Sequence, residues 1–208
     1  QKTLFPDTCY GKDSGGDPVY IPELSYKKFL DFHKTYYHPS NSYIYLYGNL
    51  DAEEYLTFLE ENYLKDFDSL TIDSEIRQQE PFAEKREIVK EYSIMEDEPV
   101  RENTYLTYNV SMGSSLDRKL YAAMDILDYV LCSAPGTPVK QALIDAGIGK
   151  DVYSTMENGI AQPYFSIVAK NADEDQKEAF VSVIEDTLKK LVKEGIDRKA
   201  LQAAVNYF

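Results

Sequence analysis

The first third of the chain changes from turn-forming residues to apolar residues at helical spacing. Residues 1–22 are rich in Gly, Ser, Asp and Pro, which predicts an irregular loop. A helix is expected from the N-cap Ser25 to about Tyr36, because aromatic residues recur there at helical spacing: Phe29, Phe32 and Tyr36. The pair His38-Pro39 ends this helix, since a residue before proline avoids helical backbone angles.

A strand and a second helix are expected next. Residues 42–47 read Ser-Tyr-Ile-Tyr-Leu-Tyr and are followed by Gly48-Asn49, a pattern that predicts a strand and its end. Asp51 is the expected N-cap of a helix over about 52–64. The apolar side of that helix is Tyr55, Phe58, Leu59 and Tyr63.

Residues 65–85 differ from both flanks in their apolar content. Few apolar residues occur across 71–80, and Pro81 follows. A stretch with so little to bury is typical of a linker. The sequence therefore predicts a first unit over 1–64, a linker over 65–85 and a second unit over 86–208.

The second unit is predicted to combine strands and helices in the order strand, strand, helix, helix, strand, strand, helix. The expected strands are residues 86–94, 103–112, about 151–157 and about 163–170. The expected helices are about 116–131, 137–146 and 173–194, the last ending at Gly195, with one more beginning at Asp197. Strands that follow one another without a helix favour antiparallel pairing. The predicted fold class is α+β, an antiparallel sheet with helices packed on one face.

Charge and composition exclude two kinds of partner. The chain has 36 acidic and 22 basic residues, a net charge of -14, whereas a nucleic-acid surface needs a basic face. No apolar run approaches the roughly 20 residues that span a bilayer, so no membrane partner is expected. The two cysteines, Cys9 and Cys132, predict unpaired thiols in a reducing compartment. We expect a cytoplasmic location, with an organellar matrix as the alternative.

The histidines do not have the spacing of a zinc pair. His33 and His38 are the two histidines of the chain, and five residues turn them apart by roughly 140° on a helix. Neither H-E-x-x-H nor H-x-x-E-H occurs. The residues thus predict a packing histidine and a helix-end histidine, and no catalytic or metal-ligating residue.

Two further groups of residues are interpreted as structural. The loop Ser14-Gly15-Gly16-Asp17-Pro18 lacks the Gly-Lys-Ser/Thr ending of a phosphate loop, and it predicts a turn in which Asp17 bonds local amides. The carboxylate runs Glu60/Glu61 and Glu96/Asp97/Glu98 are typical of solvated surfaces. Motifs alone therefore predict an acidic α+β protein without a visible active site.

Two neighbouring features together nevertheless resemble a known family. They are the Ser-Gly-Gly-Asp-Pro loop and the run Phe-His…Tyr-Tyr-His-Pro-Ser-Asn that leads into the predicted strand. This arrangement resembles the pitrilysin/insulysin metallopeptidases, most of all their presequence-protease branch. The resemblance is strong over residues 10–49 and looser over the rest of 3–208. The motif positions, all interpreted as structural, are Ser14, Gly15, Gly16, Asp17, Pro18, His33, His38, Pro39 and Asn41.

The resemblance implies a clamshell zinc endopeptidase of four similar α+β domains that encloses unstructured peptides and degrades them. The family's zinc motif lies upstream of the loop, and its paired Arg and Tyr would lie downstream of Phe208. The resemblance therefore implies zinc for the parent protein and none for this chain. It also implies an internal, non-catalytic fragment: the end of a catalytic-type first domain (1–64), a linker (65–85) and most of a second, non-catalytic domain (86–208). The implied partners are unstructured peptides and the remaining domains of the parent chain.

Two other functions are compatible with the same residues. One is a family member without zinc ligands that serves as a structural or peptide-holding subunit. The other is an unrelated α+β binding module. An H-x-x-E-H motif in the upstream part of the parent protein would distinguish an enzyme from the structural subunit.

Overall fold

The computed structural model describes residues 1–208, which divide into two units. One unit is Asp7–Arg77; the other combines Gln1–Pro6 with Gln78–Phe208. The division between Arg77 and Gln78 falls inside the linker predicted at 65–85, whereas the first six residues group with the second unit. The assignment of these units to particular domains of a longer protein stays a prediction.

The unit Asp7–Arg77 contains two helices, α1 (Tyr26–Tyr36) and α2 (Ala52–Asn62), joined by irregular segments and short 3-10 turns. The predicted caps are present in both helices. The Ser25 hydroxyl accepts from the Lys28 amide at 3.2 Å, and Asp51 Oδ1 accepts from the amide of Glu53 at 3.0 Å. Helix α1 ends one residue before Tyr37, as the following His38-Pro39 pair predicts.

The strand predicted at 42–47 is not formed. The segment has no regular secondary structure. A strand needs a neighbour for its backbone groups, and the unit Asp7–Arg77 contains no other strand. Its tyrosines project into solvent, with Tyr43 fully exposed and Tyr45 and Tyr47 more than four-fifths exposed. Residues 42–47 therefore have the residue pattern of a strand, but the pattern does not specify a neighbouring strand with which they could pair.

The unit Asp7–Arg77 has no buried residue. Two of the three aromatic residues predicted to form the apolar side of α1 remain more than half exposed, Phe29 at 54% and Phe32 at 59%, and Tyr36 is exposed as well. Isolated helices of this length are marginal in water, and tertiary packing normally stabilises them. This unit therefore has no core of its own.

The second unit is built on a three-stranded antiparallel sheet. Its strands are β1 (Thr104–Ser111), β2 (Asp151–Glu157) and β3 (Tyr164–Ala172), in the spatial order β1-β3-β2. Strand β3 is the centre, with Tyr108 opposite Ile167 and Val152 opposite Ala169. Three of the four predicted strands are confirmed. The fourth, at 86–94, is not formed, because its backbone pairs with no neighbouring strand.

Four helices follow the predicted order in this unit. They are α3 (Arg118–Asp128), which continues into a π-helical turn at Tyr129–Ser133, then α4 (Pro138–Asp145), α5 (Lys177–Glu194) and α6 (Arg198–Tyr207). Helix α5 ends at Gly195 with a φ of 87°, a backbone angle that suits glycine. None of the helices combines the length and the apolar composition that a membrane span requires.

The core lies between the sheet and the helices. Helix α4 contributes Val139 and Leu143, and α5 contributes Phe180 and Ile184, all essentially inaccessible to solvent. Each such side chain stabilises the fold by about 1.5–3 kcal/mol through burial. The strand residues of the same cluster are Leu106, Val152, Phe165, Ile167, Ala169 and Ala172. The α+β class, an antiparallel sheet with helices packed on one face, is thereby confirmed.

Candidate functional site

The glycine-containing loop at 14–18 is held by bonds to its own backbone. Asp17 Oδ1 accepts from the Val19 amide at 2.9 Å, and the Asp17 carbonyl accepts from the amides of Tyr20 and Ile21. Gly16 has a φ of 82°, and a Cβ there would lie 3.2 Å from the Ile21 side chain. The Asp17 carboxylate is therefore occupied by the turn, and the loop presents no set of converging groups to a ligand.

The corner after α1 joins the other motif residues into one local network. His38 Nδ1 accepts from the Ser40 amide at 3.1 Å. Asn41 donates through Nδ2 to the Tyr36 carbonyl at 2.9 Å, which satisfies an otherwise unpaired group at the helix end. Asn41 Oδ1 accepts from the Ser74 hydroxyl at 2.5 Å. These contacts describe a helix-to-loop corner whose polar side chains bond backbone and each other.

The two imidazole rings pack on aromatic neighbours. His33 stacks on the Tyr37 ring at 4.7 Å between centroids with 8° between planes. The His38 ring meets Phe67 edge-on at 5.2 Å. Nowhere in the chain do three or more His, Cys, Asp or Glu side chains form a group that could hold a metal ion. The donor set of this chain therefore does not fit a zinc site.

A hydroxyl-carboxylate cluster that the sequence did not reveal surrounds the π-helical turn. Asp128 accepts hydrogen bonds from both Ser133 and Ser154, at 2.7 Å from the Ser133 hydroxyl. The two hydroxyls lie 3.2 Å apart. A serine nucleophile needs a base matched to neutral pH, usually an imidazole, and none takes part here. The one sequence signal near this cluster was the helix predicted to about residue 131, which extends past the end of α3 at Asp128 into the π-helical turn.

The environment of the buried thiol beside this cluster disfavours its thiolate form. Burial raises the pKa of Cys132, and the Asp128 carboxylate acts in the same direction, although a hydrogen bond with Ser154 partly opposes them. The thiolate is the nucleophilic form of cysteine, so a raised pKa suppresses attack. Cys9 is exposed, and both cysteines are free.

A shallow hollow of about 470 Å³ opens beside Arg101 and the start of α5. One of its acidic residues is already used by the backbone: Asp173 Oδ1 accepts from the Glu102 amide at 2.7 Å. The Arg101 guanidinium lies 3.7 Å from the same carboxylate but is 85% exposed, so the pair contributes little. The remaining lining residues are Val100, Thr104, Glu174 and Asp175. These contacts of Asp173 order the loop around Arg101 and Glu102.

Known proteins resemble the whole chain in sequence. Residues 23–208 match the family model described as the peptidase M16 inactive domain. Protein HypA of Clostridium perfringens is 46% identical over 205 residues, 99% of this chain and 21% of HypA. Presequence protease 1, chloroplastic/mitochondrial, of Arabidopsis thaliana is 35% identical over 210 residues, 99% of this chain and 19% of the protease. The chain thus spans about a fifth of the length of these relatives.

Solved structures share the fold. A protease of Helicobacter pylori aligns with a TM-score of 0.59 at 16% identity, over 92% of this chain and 46% of that one. An M16-like peptidase of Alicyclobacillus acidocaldarius aligns with a TM-score of 0.54 at 20% identity, over 98% and 47%. The structural likeness agrees with the sequence match and with the motif resemblance over residues 10–49. The chain belongs to the pitrilysin-like peptidase M16 family, and residues 23–208 correspond to its inactive domain.

Proposed function

We propose that this chain is a non-catalytic portion of a zinc metalloendopeptidase that encloses and degrades unstructured peptides. The observation that carries the proposal is the match of residues 23–208 to the inactive domain of the family. In this proposal, the zinc and the residues that activate water belong to the remaining domains of the parent chain.

The unit Asp7–Arg77 supports the part of the proposal that concerns those domains. A chain segment with no buried residue cannot offset its ordering entropy by its own contacts. Its exposed aromatic residues are numerous enough to need a cover in the folded parent protein. We propose that the remaining domains of the parent chain provide it, and that 1–64 ends a catalytic-type domain while 86–208 forms most of the next.

The motif residues have a structural role in this proposal. His33 and His38 pack against Tyr37 and Phe67, and the His38 Nδ1 atom already accepts a backbone hydrogen bond. Asn41 closes the C-terminal end of α1. The loop 14–18 shapes the approach to α1 in the same local manner.

The compartment is proposed on chemical grounds. Both cysteines are free thiols, which suits a reducing environment. We propose the cytoplasm, with an organellar matrix as the alternative because the related presequence proteases are named mitochondrial or chloroplastic.

Zinc content and peptide cleavage of the parent protein test the proposal. The parent protein is expected to bind about one zinc ion and to cleave an unstructured peptide, whereas the 208-residue chain does neither. In the parent protein, His33→Ala and His38→Ala are expected to keep the zinc, as does the matched surface control Lys34→Ala. Loss of zinc from either histidine variant, or cleavage by the 208-residue chain, contradicts the proposal. A parent protein that holds unstructured peptides without zinc or cleavage supports the structural-subunit alternative instead.

A further inference from the structure

The outer edge of the sheet offers unpaired backbone groups along strand β1. The Met112 amide donates to the Pro163 carbonyl at 2.7 Å, which continues the β1-β3 register in which Ser111 lies opposite Tyr164. In an antiparallel ladder, residues bonded to one neighbour alternate with residues whose N–H and C=O point to the other side. Over the regular part of this register, the backbone groups that point away from β3 are therefore those of Thr107, Asn109 and Ser111. Tyr105, the next residue in the same alternation along β1, lies at a register shift between Thr104 and Leu106.

The 86–94 segment lies beside this edge without pairing. Its backbone forms no hydrogen bond with other backbone groups. The Tyr92 ring meets the Tyr105 ring at 5.8 Å with 76° between planes, and the Tyr92 hydroxyl donates to the Asn103 carbonyl. A β-rich segment and an open strand edge are thus held next to each other, each with unpaired backbone groups.

Three side chains in or next to this segment, Lys85, Glu87 and Tyr92, have contacts that agree with an alternation between the two faces of the sheet. Glu87 accepts from Lys177 at 3.1 Å, and Lys85 lies 3.5 Å from Glu185, both partners being on α5. Helix α5 packs on the core side of the sheet. Tyr92 is an odd number of positions away from Lys85 and Glu87, and it contacts Tyr105. Tyr105 is the neighbour of the core residue Leu106 on β1, so its side chain lies on the face of the sheet away from the core. A period of two, with one set of side chains on each face, is the geometry of a strand in the sheet.

The connection between the segment and β1 is ordered by its own bonds. The Glu98 amide donates to the Met95 carbonyl at 3.1 Å, and the Glu98 carboxylate accepts from the Met95 amide at 3.0 Å. Asn103 donates to the Pro99 carbonyl at 2.8 Å. Since the reversal of the chain is already formed, pairing of its two arms needs little further loop ordering.

We propose that the 86–94 segment closes onto the outer edge of β1 as an antiparallel fourth strand, with Tyr92 opposite Tyr105. The same register places Lys90 opposite Thr107 and Ile88 opposite Asn109. Each of these pairs joins residues whose backbone groups point toward one another. The structure shows the open form, in which the backbone of 86–94 is unpaired while the Tyr92 contacts and the ion pairs with α5 are already formed.

Closure decides whether the sheet edge is available to another chain. An open edge strand is a template for any extended peptide, and its own segment occupies the same N–H and C=O groups when closed. The Tyr92–Tyr105 contact then becomes a cross-strand aromatic pair.

Disulfide trapping in the 208-residue chain tests the register. In a Cys9→Ser background, Lys90→Cys is combined with Thr107→Cys, a pair whose Cα atoms would lie about 5.5 Å apart in the closed form. The matched control combines Val89→Cys with Thr107→Cys, whose side chains would lie on opposite faces. The first pair is expected to oxidise at least about tenfold faster than the control, read by mass spectrometry of the linked peptide. Equal rates overturn the proposal.

Amide hydrogen exchange tests closure without a cross-link. Lys90→Pro removes the N–H that faces Thr107, whereas Val89→Pro removes one that points away from β1. The amides of Thr107, Asn109 and Ser111 are expected to exchange at least about tenfold faster in Lys90→Pro than in the unaltered chain. Their exchange rates in Val89→Pro are expected to equal those of the unaltered chain. Exchange of these three amides that is equally fast in all three proteins overturns the proposal. The amides of Tyr108 and Val110, which point toward β3, report whether each variant keeps the pairing of β1 with β3.

Discussion

The side-chain amide of Gln162 pairs with the backbone of Gln79 in the way that a neighbouring strand would. The Gln79 amide donates to Gln162 Oε1 at 2.8 Å, and Gln162 Nε2 donates to the Gln79 carbonyl at 3.1 Å. Both residues are buried. This two-bond contact fixes the beginning of the second unit, just after the division at Arg77, to the connection between β2 and β3.

Removal of the Gln162 amide is expected to destabilise the second unit. Gln162→Ala leaves a buried N–H and a buried C=O of Gln79 without these partners, which costs about 1–3 kcal/mol for each such group. Urea unfolding followed by circular dichroism measures the change. The control is Gln141→Ala, which removes an exposed bond to Asp145 and should alter stability by less than about 0.5 kcal/mol. Equal effects of the two variants would show that the Gln162 bonds carry no stability.

Two glycines with the same backbone angle should differ in their tolerance of alanine. Gly147 has a φ of 68° with open space where a Cβ would be added, whereas at Gly149, φ 65°, that atom would lie 2.8 Å from the Lys170 carbonyl oxygen. Gly147→Ala is expected to cost about 1–2 kcal/mol from the left-handed backbone alone. Gly149→Ala adds the clash with β3 and should cost more, measured as the midpoint of urea unfolding. A smaller cost at Gly149 would contradict the close approach of the two segments.

The alkaline limit of stability should depend on Cys132. Because burial raises the pKa of its thiol in the folded state, the folded state holds this proton more tightly than the unfolded chain. The contribution is complete below the pKa of the unfolded thiol and is lost as pH rises toward the folded value. Burial also raises the pKa of Tyr164, with the Glu157 charge acting in the same direction, so this side chain adds to the same alkaline loss.

Unfolding free energies between about pH 8 and about pH 11 measure this effect, since the unfolded thiol and phenol titrate at about 8.5 and about 10. Cys132→Ala is expected to make the unfolding free energy fall less steeply with rising pH than it does in the unaltered chain. Tyr164→Phe is expected to have the same effect at the most alkaline pH values. Cys9→Ser, at the exposed thiol, serves as the control and should leave the slope unchanged. Iodoacetamide should label Cys9 in the folded chain and Cys132 only after unfolding. Rapid labelling of Cys132 under native conditions would exclude a buried thiol.

The corner after α1 should matter for stability and not for chemistry. His38→Ala removes the acceptor of the Ser40 amide, and Asn41→Ala removes the bonds to Tyr36 and Ser74. In the parent protein, each variant is expected to lower the thermal midpoint, with a stability cost of about 0.5–1.5 kcal/mol per lost bond, and to leave kcat within about twofold. Thermal unfolding and peptide-cleavage kinetics give the two readouts. A large fall of kcat at unchanged thermal stability would assign His38 a direct role in the reaction.

Protease should cut the chain first within 65–85. The Arg77 side chain is 78% exposed, and its ion pair is with Asp73 on the same exposed stretch. Few bonds hold this region, among them the Leu70 amide to the Ser40 hydroxyl at 3.1 Å. Limited trypsin digestion followed by mass spectrometry is expected to release a folded body beginning near Gln78, and Arg77→Gln should slow that cleavage. Digestion of 86–208 before 65–85 would contradict the division into two units.

The sequence by itself determined the elements whose causes are local. Ser25, Asp51 and Asp197 satisfy free amides a few residues away, so the beginnings of α1, α2 and α6 could be predicted. Gly195 ends α5 for an equally local reason, its left-handed backbone. The strands β2 and β3 could be predicted from alternation and length because they are consecutive in sequence and pair with each other. The family, too, was recognisable from a short run of residues around His33 and Asn41.

Only the tertiary structure decided the outcomes that depend on distant partners. Residues 42–47 and 86–94 have the same alternation as the formed strands, but strand formation requires a neighbour whose backbone groups face them, and sequence spacing does not specify one. The Gln79–Gln162 pair and the cluster of Asp128, Ser133 and Ser154 join residues that are far apart in sequence. Helical spacing predicted apolar sides for α1 and α2, but burial is a property of what lies opposite them, and Asp7–Arg77 buries neither side.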